Sequence, residues 1–143
     1  VFLLDTNVVS ELRKFGGRTA HANVVAWATK EKMASCYISV ITIMEIEIGV
    51  QRLERRDPTQ GAKLRAWMDQ RILVEFSARI IPIDAAIALV CAKLHVPTSA
   101  PFKDSLIAAT ALIHGMTVVT RNVVDFESTG VRILNPWIET DPR

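Results

Sequence analysis

The chain is poor in the residues that most often announce a catalytic chemistry. Its 143 residues contain two cysteines and three histidines. Cys36 and Cys91 each sit inside an apolar run, Ser35-Cys36-Tyr37-Ile38 and Leu89-Val90-Cys91-Ala92. That setting predicts reduced core thiols and argues against a disulfide or a redox pair. His21, His95 and His114 have no Cys or His neighbour at zinc-ligand spacing, so neither a zinc site nor a Ser-His-Asp or Cys-His nucleophile is supported. Gly16-Gly17 stands alone, without the further glycines of a phosphate-cradling loop. Long apolar runs are missing too. The longest, Ile38 to Ile48, is interrupted by Ser39, Thr42, Glu45 and Glu47, well short of the ~18 uninterrupted apolar residues of a membrane span. The first residues lack the basic segment of a secretory leader, and Asp5 falls where its apolar core should continue. A cytoplasmic location is expected.

An excess of one charge is also missing. Seventeen basic and fifteen acidic residues leave a net charge of +2, which by itself does not argue for a nucleic-acid partner. Arg52, Arg55, Arg56, Lys63, Arg65 and Arg71 crowd one short stretch. A solvated helical face is the favoured reading, and a basic rim beside an acidic pocket is the alternative.

What is present is apolar residue in quantity, half of the chain, and a chain of this length buries roughly 68–70% of its unfolded surface. One domain over residues 1–138 with a frayed tail at 139–143 is expected. Short apolar runs (2–5, 36–40, 79–83, 116–120 and 131–134) alternate with helical patterns near 6–14, 22–32, 42–56, 60–78, 84–95 and 103–115. Strands separated by helices predict an α/β fold, with a parallel sheet covered on both faces. In the 60–78 segment, Leu64, Trp67, Met68, Ile72 and Phe76 form one stripe, which assigns Trp67 and Met68 to packing rather than to binding. No internal repeat or interdomain linker is visible.

The chemistry that remains is carried by acids. Asp5 closes the run Val1-Phe2-Leu3-Leu4 and is followed by Thr6-Asn7. Ligands of α/β folds gather beyond the carboxyl ends of the strands, although Asp5 also suits the N-cap of a first helix. Glu45 and Glu47 lie ~200° apart on a helix and point to opposite sides. Glu45 is favoured for the site, in the first helical turn and with Gly49 leaving room on its face. Its rival reading is a capping box with Thr42. Asp104 opens the apolar helix Leu106 to Ile113 and alone would be read as a cap. After the strand ending at Thr120, either Asn122 or Asp125 offers an oxygen to the same place, though both are ordinary turn residues. Hard oxygen donors of this kind suit Mg²⁺ or Mn²⁺, which bind through one or two carboxylates and water.

Taken in order, Leu3-Leu4-Asp5-Thr6-Asn7-Val8, Ser39-Val40-Ile41-Thr42 with Glu45 and Gly49, Asp104-Ser105-Leu106-Ile107-Ala108-Ala109-Thr110-Ala111, and Thr120-Arg121-Asn122 with Asp125-Phe126 make the chain resemble the PIN-domain ribonucleases. The resemblance is in particular to the VapC/FitB-like toxins of type II toxin–antitoxin systems. The resemblance implies a three-layer α/β/α sandwich with a mainly parallel sheet of four to five strands. It also implies a Mg²⁺- or Mn²⁺-dependent endoribonuclease acting by metal-assisted hydrolysis. Carried over, Asp5, Glu45, Asp104 and Asp125 are the catalytic acids, Asp5 and Asp104 the metal ligands, and Thr6, Asn7, Thr120 and Asn122 the supporting residues. Whether Asn122 or Asp125 completes the set stays open at this level. The implied partners are RNA, a tRNA or rRNA loop, a small cognate antitoxin that alone touches operator DNA, and a second copy of the chain.

Three rivals belong beside this reading. A haloacid-dehalogenase-type phosphotransferase also opens with a strand-end Asp, but needs a second Asp where Asn7 stands and Thr where Val9 stands. A PIN nuclease that processes RNA without an antitoxin shares every residue above. A catalytically silent binding module would keep the fold, yet the three core acids are all present.

Overall fold

The computed structural model describes residues 1–14, 19–97 and 99–138. Gly16-Gly17 and the tail 139–143 lie outside the described residues. The elements follow the alternation expected from sequence. They are β1 (Phe2–Leu4), α1 (Thr6–Leu12), α2 (Ala22–Lys30), β2 (Cys36–Ser39), α3 (Val40–Arg56), α4 (Pro58–Trp67), α5 (Leu73–Glu75), β3 (Ile80–Ile81), α6 (Ala85–Leu94), α7 (Phe102–His114), β4 (Thr117–Val119), α8 (Val123–Glu127) and β5 (Ile133–Leu134). All five strands pair in parallel, in the order β3-β2-β1-β4-β5.

The strands read as continuous apolar runs because both faces of the sheet are covered. Consecutive residues face opposite layers. Leu3 and Val118 pack with α6, α7 and α8, around Ile87, Ile107 and Phe126. Leu4 and Val119 pack with α1, α2 and α3, around Val8, Trp27 and Val50. This is the three-layer sandwich, with five strands. Trp27 is buried, and Trp67 and Trp137 pack against the same layer, so all three tryptophans serve the core. Cys36 and Cys91 are buried free thiols.

The stripe of residues 64–76 is real, but it is not one regular helix. Met68, Ile72 and Phe76 are buried at four-residue intervals, which overshoot a 3.6-residue turn. A π-helical segment over Met68–Ile72 absorbs the excess and keeps them on the core. Gly61 permits the tight crossing of α4 on α3, since a Cβ there would stand 2.5 Å from the Glu54 backbone. Gly115 takes φ 65 and ends α7, a left-handed position that suits glycine. The short α8, expected only as a turn, holds one helical turn, too brief for periodicity to reveal.

Candidate active site at the switch point

Chain order runs outward from β1 through β2 to β3, then returns to place β4 on the other side of β1. The crevice beyond the carboxyl ends of β1 and β4 is therefore the topological switch point, where open α/β sheets bind ligands. Asp5 follows β1 directly and Thr120 follows β4. A cavity of about 370 Å³ opens there, lined by Asp5, Thr6, Asn7, Ser10, Glu45, Lys103, Asp104 and Asn122.

Asp5 is 5% exposed and is held on both oxygens. It is indeed the N-cap of α1: the Thr6 amide donates to Oδ1 at 2.8 Å. The capping reading and the site reading thus hold together, because Oδ2 points the other way. There the Thr120 hydroxyl donates at 2.8 Å and the Asn7 amide at 3.3 Å. Thr120, fully buried, also accepts from Asn7 Nδ2 and the Asn122 amide, while Asn7 Oδ1 accepts from the Arg121 amide. The loop after β4 is thereby laced to the loop after β1. Burial raises the Asp5 carboxyl above its ordinary value; the bonds from Thr120 and Thr6 pull it down, and Glu45 pushes it up again.

Glu45 reaches the cavity by a route different from the one expected. Ser39, at the end of β2, caps α3 by accepting from the Ile41 amide. Thr42 is therefore inside the helix, and Glu45, six residues along it, lies in the second turn. There is no capping box. Glu45 Oε1 accepts instead from the Thr6 hydroxyl at 2.9 Å, which also meets the buried Thr42 hydroxyl at 3.3 Å. Thr6 thus orients Glu45 through its side chain and Asp5 through its amide. Space is open at Gly49, as expected, although an added Cβ would meet nothing within 4 Å and would not itself crowd the carboxylate. Glu47 faces away and pairs with Arg65 at 2.6 Å, as the helical angle requires.

Asp104 is not a cap. The N-cap of α7 is Pro101, and Asp104 stands in the first turn, its side chain making no hydrogen bond among the described residues. It is half-buried, and its carboxyl is pushed up to about 6, first by burial and then by Asp5, Asp125 and Glu45. Asn122 lines the cavity. Asp125 is exposed on the first turn of α8 and bears on the cavity through its charge. From sequence, Lys103 and Ser10 have no role in the site, and Thr42 only that of a cap. Lys103 Nζ stands 3.0 Å from Glu45 Oε2; a lone lysine before Asp104 carried no signal of it. None of the six clustered bases lines the cavity; five of them are exposed, while Arg65 is half-buried and paired with Glu47 and Glu54.

Among the described residues, no three His, Cys, Asp or Glu side chains stand together as a ready-made ligand set. Mg²⁺ is ordinarily bound through one or two carboxylates, with water completing its shell. The donors fit such an ion: they are hard oxygens, and Asp104 is a half-buried carboxylate surrounded by acids and without a donor of its own.

The sequence profile of the PIN domain family matches residues 2–130. The chain is 36% identical over 146 residues to toxin FitB of Neisseria gonorrhoeae, across 96% of this chain and 99% of that protein. It is 32% identical over 145 residues to VapC ribonuclease Y4jK of Sinorhizobium fredii, across 96% of this chain and 98% of that one. In three dimensions it resembles a chain in the structure of FitAB bound to an IR36 DNA fragment, with a TM-score of 0.88, 33% identity and full coverage of both chains.

Proposed function

The chain belongs to the PIN-domain family, and on that premise we propose that it is the ribonuclease toxin of a type II toxin–antitoxin pair, hydrolysing RNA phosphodiester bonds with Mg²⁺ or Mn²⁺. The observation that carries the reading is the meeting of Asp5, Glu45 and Asp104 in one cavity at the switch point of the sheet. The relatives named as a toxin and as a ribonuclease support it.

Asp5 and Asp104 would hold the ion, with Glu45 and either Asn122 or Asp125 completing the acidic wall. A divalent cation bound there supplies charge neutralisation for a phosphate and lowers the pKa of water. The chain's own residues set the stage for it. Thr120 and Asn7 fix Asp5 Oδ2, and Thr6 fixes Glu45 Oε1, so the carboxylates arrive already oriented. Asp104 and Asp5, both raised, hold protons more readily than ordinary carboxyls, and binding of a cation must expel those protons.

The partners follow from the resemblance: RNA, a small antitoxin that reaches operator DNA for the pair, and a second copy of the chain. Likeness to a chain of the FitAB assembly on DNA supports the antitoxin. The deciding experiment is RNA cleavage by the purified chain in Mg²⁺ or Mn²⁺, beside Asp5→Asn. Wild type is expected to cut RNA, and the variant to lose ~10³-fold or more, since a Lewis-acid ion contributes several kcal/mol, with an unchanged circular-dichroism spectrum. Equal digestion by both proteins would sink the assignment of the site.

A further inference from the structure

Lys103 is the one basic side chain lining the acidic cavity among the described residues. It stands in the first turn of α7, beside Asp104. That turn carries the positive end of the helix dipole and disfavours a cation, so the helix does not explain the lysine. The acids do. Nζ is 3.0 Å from Glu45 Oε2, a partner 58 residues distant in sequence, and the ammonium pulls both the Asp5 and Asp104 carboxyls down. The pair is held loosely, with 59% of the Lys103 side chain exposed, and pairs of that kind contribute little to stability. Glu45 does not depend on it for position, because Thr6 holds the other oxygen.

We propose that Lys103 is a phosphate anchor for the nucleic-acid strand, resting on Glu45 until a divalent cation takes over the charge of the cavity. The proposal rests on the metal-dependent nuclease reading above. Were Asp5 and Asp104 to hold a doubly charged ion, the nearby ammonium would be repelled and would lose the acids to a stronger partner. The flexible four-carbon stem then lets Nζ turn toward the open mouth, where the strand's phosphates arrive. Lysine suits this task as a compact point charge. Two effects of opposite sign follow: the ammonium competes with the ion, and it assists the RNA.

The test uses the full chain with Lys103→Met and Lys103→Arg. Mn²⁺ is titrated calorimetrically without RNA, and a fluorescent single-stranded phosphorothioate RNA is followed by anisotropy in saturating Mn²⁺ over a salt series. For Lys103→Met, Mn²⁺ binding is expected to tighten about fivefold, as loss of one weak competing pair allows. RNA binding should weaken, with the slope of log affinity against log salt shallower by about 0.7, one phosphate contact on a single strand. Lys103→Arg should restore the RNA slope. A lysine with only a structural role would move both affinities the same way or neither, and that result overturns the proposal. If wild type binds Mn²⁺ and Lys103→Met leaves the RNA salt slope unchanged, the anchor alone fails. If wild type takes up no Mn²⁺, the metal-dependent reading falls and the anchor with it.

Discussion

Two glutamates on α3, two residues apart, live in opposite electrostatic worlds. Glu47 takes both guanidinium nitrogens of Arg65, at 2.6 and 2.7 Å, and a further bond from Gln51. These bonds hold its carboxyl down at about 2. Arg65 also meets Glu54 at 3.1 Å, so on that side of the helix the protein supplies a cation at the centre of its acids. On the other side Glu45 joins Asp5 and Asp104 around a cavity with one loosely held lysine, and the charge of Asp125 reaches Asp104. There burial, and after it the neighbouring acids, raises the Asp5 carboxyl and pushes Asp104 up to about 6. The first cluster is complete as it stands and binds helix to helix. The second has more negative charge than its own residues balance. Acids raised by burial and by each other mark a site of function, whereas acids lowered by a fixed arginine mark a joint.

The contrast breaks most sharply at Asp104. Asp104→Asn should cut RNA cleavage by ~10² or more while raising the melting temperature of the ion-free protein, because it removes repulsion. Loss of activity together with loss of stability would make Asp104 a structural residue. Thr120→Val comes next. It strips a buried carboxylate of its 2.8 Å donor, at a cost of ~1–3 kcal/mol, and should weaken Mn²⁺ binding ~10–100-fold. Chemical denaturation and calorimetry read the two effects separately.

The pH dependence is subtler. Asp104 ordinarily titrates near 3.8 and in the fold near 6, so between those values the folded state keeps a proton that the unfolded chain has shed. Its contribution therefore favours the ion-free fold most below about 4, declines as pH rises, and is lost above about 6. Mn²⁺ affinity should run the other way, climbing through pH 6 as the proton leaves. Melting curves with and without Mn²⁺ across this window check both signs. The smallest effect belongs to the joint. Glu47→Gln should lower the melting temperature by no more than ~2–4 °C, as expected for a partly exposed pair, and leave RNA cleavage unchanged. A large loss of cleavage would show that the two clusters are coupled through α3.

Much of this was legible beforehand. The alternation of apolar runs and helical stripes dictates the layered fold, since a strand apolar on both faces has to be covered twice. The angle of 200° between Glu45 and Glu47 follows from helical geometry alone and holds in the structure. Local signals misled where tertiary contacts compete with them. Thr42-Ile43-Met44-Glu45 spells a capping box, but Ser39 starts the helix earlier because β2 ends there. Asp104 spells a cap, yet its helix begins at Phe102, leaving the carboxylate without a hydrogen-bond donor among the described residues.

The sequence by itself determined which groups can do chemistry here: oxygen donors at strand ends and helix starts, with cysteine and histidine too few and too scattered to compete. Only the tertiary structure decided how they meet. Asp5 is bonded to Thr120, 115 residues away, Thr6 to Glu45 across 39, and Lys103 to Glu45 across 58. Side-chain spacing reports direction within one element, but such pairings exist only once β2 and β4 flank β1 and the helices pack over the sheet, bringing distant loops to a common edge.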